Sequence, residues 1–191
     1  MTARIAIIGW GSLVWDPRML GIDGVWNVDG PDLPVEFARI SDDGRLTLVI
    51  HPTPFGSQAT CWARSALASP DAARANLAER EGSPLNRICS LTAEGVLTGN
   101  ASSPWVDELQ RWLKTRSLDA AVWTGLPSNW RKKRGVDFTI ADALDYASGL
   151  RGNKLEVARN YVQNAPQQID TPLRRALAET LGWVANGTRS E

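Results

Sequence analysis

The chain begins with a β-branched apolar run, Ile5-Ala6-Ile7-Ile8, that passes directly into Gly9-Trp10-Gly11-Ser12-Leu13. A buried strand ending in a tight glycine loop is the arrangement this order predicts. Glycine at 9 and 11 permits dihedrals closed to other residues and lets a bound group approach the backbone. Successive amides in such a loop can point the same way and cradle an anion such as a carboxylate. Asp16-Pro17 follows at once and breaks any helix that starts there.

Bulk properties narrow the classes of function. The 191 residues suit a single domain, 1–191, with a substantial core. Its 21 basic and 21 acidic residues cancel, so neither nucleic acid nor an acidic membrane is expected as a partner. The basic run Arg131-Lys132-Lys133-Arg134 reads as a solvated loop or helix end. No signal peptide or membrane span is recognisable, and a cytoplasmic location is expected. Cys61 and Cys89 form no CxxC pair and are expected to be buried fillers. His51 is the single histidine, so a histidine-rich zinc site cannot be built, and any histidine dyad would have to use it. Its place after Leu46-Thr47-Leu48-Val49-Ile50 marks it as a strand-end residue instead. No metal or cofactor is expected.

Strands are predicted at about 4–8, 35–40, 45–50, 59–67 and 88–92, and from Asp119 onward. Ser41-Asp42-Asp43-Gly44 should turn a hairpin. Glu36 and Arg39, inside a strand, belong on a solvated face or lining a cavity. Ser69-Pro70-Asp71 starts a helix that should run to about Arg80 and close at Gly82. Ser103-Pro104 repeats the signal for a helix on which Trp105, Leu109, Trp112 and Leu113 form a core stripe. Further helices are predicted at about 140–148, 154–164 and 172–183. Strands first and helices later, without βαβ alternation, indicate α+β architecture.

The first loop is not a dinucleotide fingerprint, because position 14 is Val where a third glycine is needed. It also lacks the G-x-S-x-G of a nucleophile elbow, so Ser12 is a hydrogen-bonding loop residue and not a nucleophile. The second candidate is Glu79-Arg80-Glu81-Gly82 at a helix C-terminus. Such a cluster is ordinarily solvated surface. The negative end of the helix dipole disfavours a charged acid there, and a glutamate so placed makes a better proton acceptor. Two residues apart on a helix, Glu79 and Glu81 diverge by about 200°, so only one can enter a given pocket.

The opening segment Gly9-Trp10-Gly11-Ser12-Leu13-Val14-Trp15-Asp16-Pro17 resembles the GYGSL-x-W-x-P signature of ChaC-like gamma-glutamylcyclotransferases, with Trp10 in place of Tyr. Cys61-Trp62-Ala63-Arg64, then a helix, then Arg80-Glu81-Gly82 is similar to the family's CWGVAYR and REKGG segments. The Arg45–Ile50 segment resembles its RVVTLV strand, and Ala158–Val162 with Thr171–Arg174 its C-terminal helices. Gly82-Ser83-Pro84 stands where the family has Lys-Gly-Gly after the glutamate. The resemblance implies a small mixed β-barrel or curved sheet with flanking helices, and Glu81 as catalytic base with Glu79 as fallback. It implies a gamma-glutamyl amide held by Trp10, Gly11, Ser12 and Leu13 and cyclised to 5-oxoproline, without cofactor. A non-catalytic small-molecule binding protein of the same fold is the alternative, prompted by the departures after Glu81. A carbohydrate-binding surface built from the nine tryptophans is disfavoured by their scatter along the chain.

Overall fold

The computed structural model describes residues 3–51, 56–99 and 105–186. In chain order the elements are β1 (Ile5–Gly9), α1 (Ser12–Trp15), β2 (Ile22–Asn27), β3 (Asp32–Leu33), β4 (Val35–Ile40), β5 (Leu46–Ile50), β6 (Gln58–Ala59) and β7 (Cys61–Ser65). There follow α2 (Pro70–Glu81), β8 (Ile88–Thr92), β9 (Leu97–Thr98), α3 (Trp105–Thr115), β10 (Ala120–Thr124), α4 (Trp130–Arg134), α5 (Ile140–Gly149), α6 (Gly152–Asn164) and α7 (Pro172–Leu181). The α+β class is as expected. The chain groups into two compact units, one of residues 1–33 and 59–126, the other of 34–58 and 127–191.

The first unit is built on a six-stranded sheet of order β2-β7-β1-β10-β8-β9. It is open, with β2 and β9 at its edges, and this corrects the barrel expected from the family resemblance. The apolar run 5–8 makes β1 a central strand, antiparallel to β7 and parallel to β10. Ile5 stands beside Ala120 and Ile7 beside Val122, so the pleat presents these four side chains on one face. That face packs against Ala73 and Leu77 of α2 and against Leu13. On the other face Trp123, fully buried, meets Trp105 of α3 edge-on at 5.6 Å between centroids. Cys61 and Cys89 are both buried, as expected.

Helix α2 has the ends its sequence predicts. Ser69 Oγ accepts the Ala72 amide, Pro70 is the first helical residue, and Gly82 closes the helix at φ 58°. The amides of Gly82 and Ser83 return to the carbonyls of Glu79 and Ala78. The helix extends one residue past the expected Arg80, to include Glu81.

The second unit pairs β4 with β5 in a hairpin, turned at Ser41–Gly44 with Gly44 at φ 89°. Helices α4–α7 belong to the same unit, with Thr139 and Thr171 capping α5 and α7. Phe37, Leu46, Val162, Leu173 and Leu177 are fully buried there. Glu36 is neither solvated nor lining an open cavity, which corrects the sequence expectation. It is 1% exposed and accepts hydrogen bonds from the Phe37 amide (2.7 Å), the Thr171 hydroxyl (2.5 Å) and the Leu173 amide (3.3 Å). A buried carboxyl is tolerated because its oxygens accept from three donors, among them the first-turn Leu173 amide of α7 and the hydroxyl of its cap, Thr171. Burial pushes this carboxyl above the ordinary glutamate range, against the pull of those donors.

Several elements were not predicted: β2, the one-turn helix α1, and the short strands β3, β6 and β9. The helix-start signal at Ser103-Pro104 lies outside the described residues, although α3 covers Trp105–Thr115 as expected.

Candidate functional site

The loop expected to hold a ligand begins where β1 leaves the sheet. Gly9 ends the strand, and Gly11 precedes α1 with φ −129° and ψ −145°. Helix α1 is a single turn, closed by the Val14 amide on the Gly11 carbonyl (2.9 Å) and the Asp16 amide on the Ser12 carbonyl (2.8 Å). It stops at Asp16, where the Asp-Pro pair predicts a break. Within so short a turn the amides of Ser12 and Leu13 have no intrahelical acceptor.

The side chains of this segment divide by role. Trp10 (6% exposed) and Leu13 (5%) are buried, and Leu13 belongs to the core cluster under α2. Gly11 is buried as well, so these three residues can offer a ligand little beyond backbone groups. Ser12 is half-buried, and its hydroxyl faces the end of α2.

At that end sits the carboxylate pair, and the structure separates its two members. Glu79 is exposed, whereas the Glu81 side chain is 20% exposed and engages Arg80. Arg80 enters the sequence reading only as a member of the Glu79–Gly82 cluster, with no role of its own, yet its side chain touches both Glu81 and the Ser12–Asp16 turn. Its side chain is 3% exposed, and Nη1 lies 2.7 Å from Glu81 Oε1. Nη2 donates to the Asp16 carbonyl at 2.5 Å and reaches Ser12 Oγ at 3.5 Å. The Asp16 carbonyl is one that helix α1 leaves without an internal donor, so Arg80 caps the turn from outside. Its Nε is buried without a hydrogen-bond partner. Glu81 Oε2 carries no hydrogen bond among the described residues, and this oxygen remains for a ligand or proton.

A sequence signal for Arg80 existed only in part. A helix-terminal arginine complements the dipole and is ordinarily solvent-facing. The spacing of Arg80, three residues after Leu77 and seven after Ala73, puts it on the buried face of α2, but the charge and the helix-end position outweigh that signal in a reading of the sequence.

Other expected candidates lie in the second unit. His51 ends β5, its amide donating to the Pro34 carbonyl, and its ring meets Phe138 edge-on at 5.1 Å. Burial lowers its affinity for a proton. His51 also lines a surface cavity of about 730 Å³ with Ser128, Asn129, Trp130, Phe138 and the Arg131–Asp137 ion pair. That cavity contains none of the residues expected to bind or act on substrate. Its polar walls are largely committed: Ser128 donates to the Ala38 carbonyl, and Asn129 bonds both backbone groups of Ile40. Three of the four residues of the basic run are ion-paired in place, Arg131 with Asp137, Lys133 with Asp42, and Arg134 with Asp142 and Asp145.

Among the described residues no group of three or more His, Cys, Asp and Glu side chains could hold a metal ion. No helix among them is long and apolar enough to cross a membrane. Comparison of the chain with protein-family models, with curated proteins and with solved structures finds no match.

Proposed function

We propose that the protein is an enzyme that cyclises a gamma-glutamyl amide or amine to 5-oxoproline and a free amine. The observation that supports this most is the junction at Arg80. One buried guanidinium touches the only half-buried acid of the Glu79/Glu81 pair and also the glycine loop that starts at β1. Glu81 and the Ser12–Asp16 turn, far apart in sequence, thus meet at Arg80 within one compact unit, which supports the reading.

The chemistry needs little else. The substrate's α-amine, once deprotonated, attacks its own side-chain carbonyl carbon. A C–N bond forms in the ring, the original amide C–N bond breaks, and the leaving nitrogen takes a proton. Glu81 Oε2 accepts one proton from the ammonium before attack and hands it to the departing nitrogen. It then takes the second proton from the ring nitrogen of the adduct and passes it to the released amine, which leaves as an ammonium, so the proton count closes without cofactor. Amides of Gly11, Ser12 and Leu13 hold the substrate carboxylate or the developing oxyanion. Amine and carbonyl already belong to one molecule, so the site needs only to hold them in a near-attack arrangement and to move the protons.

A second reading, a binding protein of the same fold without turnover, draws on the same ion pair. A carboxylate held by a buried arginine can be purely structural. Incubating the purified protein with a panel of gamma-glutamyl amides, glutathione included, separates the two. Formation of 5-oxoproline, read by mass spectrometry, supports the enzyme. Saturable binding without product over long incubation supports the binding protein.

A further inference from the structure

We propose that Arg80 is a positioning residue that locks the Glu81 carboxylate to the Ser12–Asp16 turn, so that base and substrate loop move as one body. This rests on the cyclotransferase reading of the site. Three acceptors from two separate stretches of chain converge on a single guanidinium: Glu81 Oε1 at 2.7 Å, the Asp16 carbonyl at 2.5 Å and Ser12 Oγ at 3.5 Å. Glu81 neighbours Arg80 on α2, whereas Ser12 and Asp16 lie 68 and 64 residues away in sequence.

The lock has a physical need. A helix of one turn is not stable by itself, because nucleation fixes several dihedrals for very few hydrogen bonds. Turn α1 is therefore held by what surrounds it: Leu13 in the core below and Arg80 on its last carbonyl. Glu81 is the final residue of α2, where helices fray, and its side chain makes no other hydrogen bond among the described residues. Without Arg80 both partners would sample many arrangements, and the distance from Oε2 to a bound amine would no longer be fixed.

Only the planar fork spans these acceptors. A lysine ammonium is a point donor at the end of a flexible stem and can serve Glu81 or the Asp16 carbonyl, not the set. Arg80→Lys keeps the charge and breaks the geometry. It also distinguishes positioning from plain electrostatics.

The test has two arms. In the first, wild type and Arg80→Lys are compared for 5-oxoproline formation from the best gamma-glutamyl substrate of the panel. The expected result is a kcat at least tenfold lower with KM within about threefold. In the second, amide hydrogen exchange is followed at Val14 and Asp16, whose N–H groups close turn α1. Exchange there is expected to quicken at least tenfold in Arg80→Lys while the β1 and β10 amides stay protected.

A kcat within twofold of wild type overturns the proposal, as does unchanged exchange at Val14 and Asp16. Absence of product from the wild type itself condemns the cyclotransferase reading and, with it, the catalytic use of the lock. The exchange arm then decides whether the lock exists at all. If Arg80→Lys fails to fold, Glu81→Gln goes through the exchange arm instead. Removing the anion frees the guanidinium, so exchange at Asp16 is expected to rise, and an unchanged rate overturns the coupling.

Discussion

The Trp26 indole lies over Gly9 so closely that a Cβ on residue 9 would sit 2.9 Å from its Cζ3 and 3.0 Å from Cη2. Val14 Cγ2 would be 3.3 Å away on the same built atom. The glycine that ends β1 is thus needed to admit an aromatic ring from β2 beside the turn that follows. Its role is space, and no left-handed backbone conformation is involved.

Gly9→Ala is accordingly expected to destabilise the protein by roughly 1–3 kcal/mol, the range for overpacking a well-filled site. Urea unfolding monitored by tryptophan fluorescence measures this. Trp26→Leu in the same chain should recover part of the loss, since it removes the ring that the new methyl meets. A Gly9→Ala variant as stable as wild type would contradict the packing described.

Glu36 gives the stability of the chain a pH dependence of known sign. Burial raises its folded carboxyl above the unfolded value, so the folded chain binds this proton more tightly. The resulting stabilisation is fully present below the unfolded value and is lost as pH rises through the folded one. Relative to Glu36→Gln, which does not titrate, wild type should lose stability from about pH 4.3 upward and level off above the folded value. The slope for one proton is bounded at about 1.4 kcal/mol per pH unit. Urea titrations of both proteins across this range check it. A gap that is constant, or that widens in favour of wild type as pH rises, would contradict it.

How far the sequence could be read follows from how local each signal is. Helix α2 was legible from Ser69-Pro70-Asp71 at one end and Gly82 at the other, because caps act within one turn. The β4–β5 hairpin was legible for the same reason, its turn residues being contiguous. Strand β2 was not. Asp23, Gly24 and Val25 are all exposed on this edge strand, and Gly24 at φ 91° interrupts the ladder, so no clean alternation survives. Glu36 was misread because its partners Thr171 and Leu173 are 135 and 137 residues away. In the candidate site, Glu81 and the Gly-Trp-Gly-Ser-Leu loop stand out in the sequence as motifs. The contact of Arg80 with Asp16 does not, since helix periodicity says nothing of an acceptor 64 residues away.

Arg174 presents a comparable long-range dependence inside the second unit. Its side chain, 5% exposed on the residue scale, donates to the carbonyls of Ala165 (2.6 Å), Pro166 (2.7 Å) and Ile169 (2.9 Å). Those carbonyls belong to the connection between α6 and α7 and have no other side-chain donor among the described residues. Arg174→Met preserves much of the stem's packing and leaves the Ala165 and Ile169 carbonyls without this donor, while the Pro166 carbonyl keeps the Ile169 amide (3.0 Å). At about 1–3 kcal/mol for an unsatisfied buried group, a loss of roughly 2–4 kcal/mol in urea unfolding is expected. Arg174→Lys should recover only a minor part, because one ammonium cannot serve three diverging carbonyls. Full recovery by lysine would contradict the fork geometry.

The assignment of the base is tested most directly by 5-oxoproline release from gamma-glutamyl amides, measured by mass spectrometry for wild type, Glu79→Gln and Glu81→Gln side by side. Glu79 is exposed and Glu81 is joined to the loop through Arg80, so the two substitutions should separate cleanly. The expected result is product from wild type and Glu79→Gln at similar rates, with Glu81→Gln folded and its rate lower by at least 10²-fold, the low end for loss of a general base. Product from Glu81→Gln at the wild-type rate, or none from wild type with any member of the panel, would contradict it.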